Sequence, residues 1–123
     1  MEFYSIHGTI ITTGTEVPTI EYIDGSQVFR KRINCGSLPN NTTKDVSTGL
    51  SVNSNHIVRI SGMAYRSSDD TFFQLPYAST VAQNSISCFC VSHNNIIDVR
   101  LVTGIDRTNI YETFVDVYYT KTS

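Results

Sequence analysis

Ile97, Val99 and Leu101 alternate with Asp98 and Arg100, and Val115, Val117 and Tyr119 alternate with Phe114, Asp116 and Tyr118. Strict alternation marks a strand with one face buried, because successive side chains of an extended chain point to opposite sides. The same period runs through His56–Tyr65, where Val58, Ile60, Gly62 and Ala64 share a face. Gly62 and Ala64 make that face narrow, which predicts close approach by another backbone or a large side chain. Ile20–Ile23, Val28–Ile33, Thr71–Leu75 and Ser85–Val91 also read as strands, and the polar Thr42–Ser47 reads as a short edge strand ending at Gly49. No window of eleven or more residues holds a helical apolar period.

Turn residues separate these runs. Asp24-Gly25 is the pair a tight hairpin needs, since both central residues must accept positive φ. Leu38-Pro39-Asn40-Asn41, Ser67–Asp70, Pro76 and His93-Asn94-Asn95 stop or turn the chain, and Thr103–Asn109 is a polar loop. Gly14–Thr19, with Pro18, reads as a connector, Ser51–Asn55 as a loop, and Met1–Thr13 as a strand or extended arm. About eight short strands at roughly 8–12-residue spacing predict an all-β fold, an antiparallel, jelly-roll-like β-sandwich. The chain reads as a single domain, with residues 1–15 as the arm and 16–123 as the sandwich.

Composition narrows the function. Charged residues are 16% and the net charge is −2, so no basic field exists to draw nucleic acid or an anionic membrane. No run approaches the roughly 18 apolar residues of a membrane span, and MEFYSIHGTII lacks the basic start and long apolar core of a signal peptide. Of the three cysteines, Cys88 and Cys90 lie on one strand face and are poorly placed to bridge, while Cys35 is distant in sequence. All three read as reduced, mostly buried thiols, which fits a chain made in the cytoplasm.

Little else suggests chemistry. His7, His56 and His93 are scattered without a second ligand at metal spacing, and Cys88/Cys90 is not a C-x₂-C pair. Asp69-Asp70 reads as a solvated turn. In Arg30-Lys31-Arg32 the middle residue points away from its neighbours, so the run makes no single basic patch. No nucleophile motif or phosphate-binding Gly-rich loop is present, so no catalytic residue, metal or cofactor is expected and the chain does not read as an enzyme. The candidate ligand-binding residues are Tyr65, Phe72, Phe73 and Tyr77, aromatics that bracket the Ser67–Asp70 turn. Exposed aromatics beside polar loops suit sugar or protein recognition. Asp106 and Arg107 are adjacent charges in a lightly charged chain. Arg107 is expected to fix its loop, or a subunit boundary, by a charge-assisted hydrogen bond to a carboxylate or a carbonyl.

Three segments carry a resemblance. Tyr22-Ile23-Asp24-Gly25-Ser26-Gln27-Val28-Phe29-Arg30-Lys31 resembles the W-I-D-G-K-x-I/V-Y-R-K segment of many phage and prophage tail-fibre and baseplate-associated proteins. Gly36-Ser37-Leu38-Pro39-Asn40-Asn41-Thr42-Thr43-Lys44 resembles its G-x-L-P-N-x-T-x-K continuation. Thr103-Gly104-Ile105-Asp106-Arg107-Thr108, followed by Tyr118-Tyr119-Thr120-Lys121-Thr122, resembles its closing T-G-x-D-R-S/T and Y-T-K-T. Tyr22 stands where Trp is usual and Ser26 where Lys is usual. Order and spacing match over residues 16–123. The resemblance implies a β-rich virion structural domain, made in the host bacterial cytoplasm, that forms homotrimers and joins other phage virion proteins. It would bind a host surface glycan or protein. A purely structural capsid or tail decoration or adaptor protein is the alternative, and a glycan-cleaving enzyme a distant third.

Overall fold

The structure is a computed structural model that describes residues 3–4, 10–11, 13–51 and 56–121. Its strands are β1 (Phe3–Tyr4), β2 (Ile10–Ile11), β3 (Glu16–Ile23), β4 (Ser26–Asn34), β5 (Thr43–Ser51), β6 (Ile57–Arg66), β7 (Thr71–Leu75), β8 (Ile86–His93), β9 (Ile96–Thr103) and β10 (Glu112–Thr120). The eight strands from β3 onward form two antiparallel sheets, one ordered β3-β4-β10-β6-β7 and the other β5-β9-β8, and β1 pairs with β2. The last strand, β10, lies between β4 and β6, and β9 lies beside β5. The end of the chain is thereby wrapped into its beginning, as in a jelly roll. Eight strands in a sandwich is what the sequence pattern predicts.

The two sheets enclose one core. From β9 it takes Ile97, Val99 and Leu101, and from β10 Val115, Val117 and Tyr119, the sets read from alternation. Ile33, Leu50, Ala64, Phe73, Leu75, Ile86 and Cys88 fill the remainder, with Cys35, Leu38 and Ile110 supplied by loops. Gly62 is pinched between its cross-strand neighbours: a Cβ there would lie 3.0 Å from Leu75 Cβ and 3.3 Å from Val115 Cγ2. The predicted close approach is therefore made by side chains of the two flanking strands. Asp24 and Gly25 take φ of 50° and 81°, and Asn94 and Asn95 take 52° and 66°. Both are two-residue turns with two left-handed positions, so the β3–β4 and β8–β9 hairpins keep the strand twist.

Two boundaries differ from the sequence reading. Residues 16–19 belong to β3 instead of a connector. Pro18 is tolerated because β3 is a sheet edge, where the missing N–H breaks no inner ladder. The β3–β4 register shifts between Pro18 and Tyr22. Side chains hold the gap, the Thr19 hydroxyl donating to the Val28 carbonyl (2.6 Å) and the Gln27 amide to the Thr19 carbonyl (3.0 Å). At Gly49 the edge strand β5 does not end. The chain makes a bulge with Gly49 at φ 72° and runs on to Ser51. There the Thr48 hydroxyl donates to the Ile97 carbonyl (2.7 Å) and accepts from the Leu50 N–H (3.0 Å), keeping the break in the ladder satisfied.

Cys35 and Cys88 are buried and Cys90 half-buried, all three as free thiols. Burial pushes the thiols of Cys35 and Cys90 up to about 11 and that of Cys88 up to about 12. His7 lies outside the described residues. Among the described residues no group of three or more His, Cys, Asp or Glu is placed to hold a metal ion, and no helix is long and apolar enough to cross a membrane.

Candidate ligand-binding groove

The outer face of the five-stranded sheet carries a groove of about 720 Å³, within the roughly 300–1,000 Å³ range of small-ligand sites. Register places its residues in rows. Phe72, Tyr65 and Glu112 form one row across β7, β6 and β10, then come Gln74, Met63 and Phe114, and then Ser61, Asp116 and Arg32 on β6, β10 and β4. Four strands at about 4.8 Å spacing make the groove about 14 Å across. Each side chain faces outward because its neighbours in sequence face the core: Ala64 and Gly62 flank Met63, and Val115 and Val117 flank Asp116.

Phe72 is 65% exposed and Met63 53%. The Phe72 and Tyr65 rings lie 4.7 Å apart at a 37° tilt, and the Tyr65 hydroxyl donates to Asp70. That bond raises the Tyr65 phenol above its ordinary range and fixes the ring. Arg32 meets Asp116 through two parallel bonds of 2.8 and 3.1 Å, and its guanidinium lies 6.0 Å from the Phe114 ring centre. The hydrogen bond to Asp116 raises the Arg32 pKa further. Beyond the groove, Arg59 lies 4.1 Å over the Tyr118 ring and pairs with Glu21 at 2.8 Å.

Glu112 and Asp116 are both in the groove, so a pair of carboxylates does face it. Four residues apart on one strand, their Cα atoms are about 13 Å apart at ~3.3 Å rise per residue. Asp116 is already held by Arg32.

The four aromatics proposed from the sequence fall on two sides of the sheet. Tyr65 and Phe72 meet in the groove. Phe73 is buried in the core, because adjacent strand residues face opposite ways, and it meets Tyr77 edge-on at 5.1 Å. Between the sheets these two rings receive Arg107, whose guanidinium lies 5.5 Å from Phe73 and 5.9 Å from Tyr77. Phe114, Met63, Gln74, Arg32, Asp116 and Glu112 were not singled out as ligand residues. The available signal was parity, since Phe114 and Asp116 fall opposite the core residues of β10.

Asp106 and Arg107 both make their hydrogen bonds within the chain. Arg107 is 7% exposed and donates to the Asn84 carbonyl, within the chain and without a carboxylate partner among the described residues. Asp106 caps the turn by accepting from the Thr108 N–H (2.9 Å) and hydroxyl (2.7 Å), which lowers its carboxyl pKa. The loop is laced to the Gly36–Lys44 segment. The Thr103 hydroxyl (2.9 Å) and the Arg107 N–H (3.2 Å) donate to the Pro39 carbonyl, the Leu38 N–H to Ile110 (3.0 Å) and the Asn41 N–H to Ile105 (3.0 Å). Lys44 closes the segment by donating to the carbonyls of Cys35 (2.7 Å) and Ser37 (2.8 Å). At the far end Lys121 (2.7 Å) and the Tyr119 hydroxyl both donate to Glu16 of β3.

Compared with known proteins, the chain matches no family model, no curated protein and no solved structure.

Proposed function

We propose that this chain is a phage virion structural protein, a tail-fibre-type β-domain that assembles as a homotrimer and contacts a host surface component through the groove of its five-stranded sheet. The observation that carries the ligand contact is the groove itself: exposed Phe72 and Met63 beside Tyr65, Phe114 and the Arg32–Asp116 pair on one sheet face. A sheet face with no binding role would ordinarily present polar residues to water. The virion assignment is supported by the resemblance of three ordered segments, and the role is binding without catalysis. Exposed Ile20 and Tyr22 on the β3–β4 hairpin offer apolar surface for contacts with other copies or other virion proteins. That surface is also what favours the second reading, an adaptor or decoration protein without a host ligand.

The test uses purified particles and the purified chain. Mass spectrometry and antibody labelling should place the chain on the virion. Light scattering should give about three times the 13.7 kDa chain mass. The chain should bind cells of the host bacterium and compete with particle adsorption, and Phe72→Ala should weaken both. Absence from particles refutes the virion assignment, a monomer refutes the trimer, and full competition by Phe72→Ala removes the groove from the function.

A further inference from the structure

We propose that the groove takes a short, uncharged oligosaccharide, stacked on Phe72 and Tyr65 and hydrogen-bonded by Gln74 and by the Arg32–Asp116 pair. This rests on the reading that the groove meets the host surface, and it adds the chemical class of the ligand.

Pyranose rings present a C–H face and a rim of hydroxyls, so they need an aromatic platform next to groups that both donate and accept. The platform is the tilted Phe72–Tyr65 pair, with the outer ring open to solvent and the inner one held by Asp70. A pre-set aromatic surface loses little entropy on binding. The polar rim is the third row. Arg32 carries five N–H donors and uses two on Asp116, whose carboxylate keeps lone pairs free. A fork-to-carboxylate pair with spare donors and spare acceptors matches adjacent hydroxyls, which also both donate and accept. The Gln74 amide, exposed beside Met63, has the same dual character.

Charge selects among saccharides. The groove lining holds one cation, already paired, against the two carboxylates of Asp116 and Glu112, a net charge of −1. Uronate, sialate or phosphate groups would meet repulsion and no free cation, so acidic glycans are disfavoured. Size favours a small ligand over a protein surface. A stable protein interface buries about 800 Å² per partner, whereas this site is a single groove about 14 Å wide.

The experiment sets the purified chain against neutral di- to tetrasaccharides of gluco, galacto, manno and N-acetylhexosamine type, with matched uronate-, sialate- and phosphate-bearing partners. Ligand-detected NMR and calorimetry read binding, and attachment to host cells is measured in parallel. At least one neutral saccharide should bind, with affinity reduced about tenfold or more by Phe72→Ala and reduced also by Gln74→Ala. Both side chains are exposed, so an unchanged circular-dichroism spectrum and a near-parental melting curve separate lost binding from lost folding. Tighter binding of the acidic partners overturns the charge argument, and neutral binding that ignores both substitutions overturns the site. If no saccharide binds while cell attachment persists and falls with Phe72→Ala, the saccharide class is wrong and the host-contact reading stands. If cell attachment is absent or indifferent to Phe72→Ala as well, both fail.

Discussion

Removing the Arg107 side chain should loosen the end of the sandwich. The guanidinium is buried, donates to the Asn84 carbonyl and sits against the rings of Phe73 and Tyr77. A hydrogen bond to a charged group contributes about 1.5–3 kcal/mol. Two ring contacts add about 0.5–2 kcal/mol. Against this, Arg107→Ala also frees the chain from burying a cation without a carboxylate, which offsets part of the loss. The balance is a destabilisation of about 2–4 kcal/mol, or a fall in melting temperature of about 6–15 °C for a domain of this size. Arg107→Lys should recover only part of it, because an ammonium reaches the carbonyl without the flat stacking of a guanidinium. Arg107→Met keeps the apolar stem between the rings and should lose mainly the hydrogen bond. Urea denaturation read by circular dichroism gives the magnitudes, with an unchanged m-value showing that the same surface is exposed. Hydrogen exchange adds a local reading. The N–H groups of Asn84 and Ser85 bond Val81 and Ala82 in the short turn that Arg107 holds, so they should exchange faster in Arg107→Ala. If Arg107→Ala unfolds within about 0.5 kcal/mol of the parent, with those two amides unchanged, the loop is a solvated turn and the reasoning is refuted.

Other consequences follow from the same packing. Gly104→Ala would put a Cβ 2.5 Å from the Gln83 carbonyl oxygen and 3.0 Å from Gln83 Cα, backbone that has little room to shift. It should therefore cost at least the ~1–3 kcal/mol of an overpacked site, measured by the same urea titration. Stability should fall as pH drops from about 4.5 to 2. The Arg66 hydrogen bond holds the Asp69 carboxyl down to about 2, and hydrogen bonds from Arg100 and Arg59 lower Asp45 and Glu21. For Glu16, burial pushes the pKa up but the bonds from Lys121 and Tyr119 outweigh it. Folded-state values below the ordinary 3.8 and 4.5 mean that the unfolded chain takes up protons first, so the pairs stabilise above that range and not below it. A flat melting temperature between pH 5 and pH 2 would contradict this. The three thiols should resist a disulfide exchange reagent at pH 8 until the chain unfolds, and reductant should leave the melting temperature unchanged. Above pH 9 the sign is opposite: unfolded thiols ionise first, so stability should fall as pH rises toward 11.

Strands with two unlike faces were legible. In β9 and β10 every second residue is buried and, apart from Thr103 and Thr113, apolar, so alternation gives the core side. The turns were legible too, because Asp24-Gly25 and Asn94-Asn95 sit where left-handed backbone is required. Two boundaries were missed because a residue that normally ends a strand was accommodated. Pro18 lies on an edge, and Gly49 sits in a bulge braced by Thr48. Both accommodations depend on which strand lies alongside, a property that local sequence does not contain.

The site divides in the same way. That Phe72 and Phe73 face opposite sides follows from strand geometry, and so does the outward direction of Phe114 and Asp116. That Phe114 lies beside Met63, and Asp116 beside Arg32, requires β10 to insert between β4 and β6, a pairing that joins residues 84 apart. The three resemblance-bearing segments are likewise brought together only in space. Pro39 receives the Thr103 hydroxyl across 64 positions, and Glu16 receives Lys121 across 105. Their visible work is to close hairpins, pin loops and fasten the chain's ends. None of the ten residues lining the groove belongs to those segments: Arg32 falls between the first two, and Ser61 through Phe114 and Asp116 fall outside all of them. Apart from the Arg32–Asp116 pair, which also ties β4 to β10, the proposed ligand contact and these closing bonds fall to separate residues. Another chain could match all three segments, build this sandwich by the same bonds, and present a differently lined groove to a different ligand. For that reason the resemblance supports the framework, while the case for the ligand rests on Phe72, Tyr65, Gln74 and the Arg32–Asp116 pair.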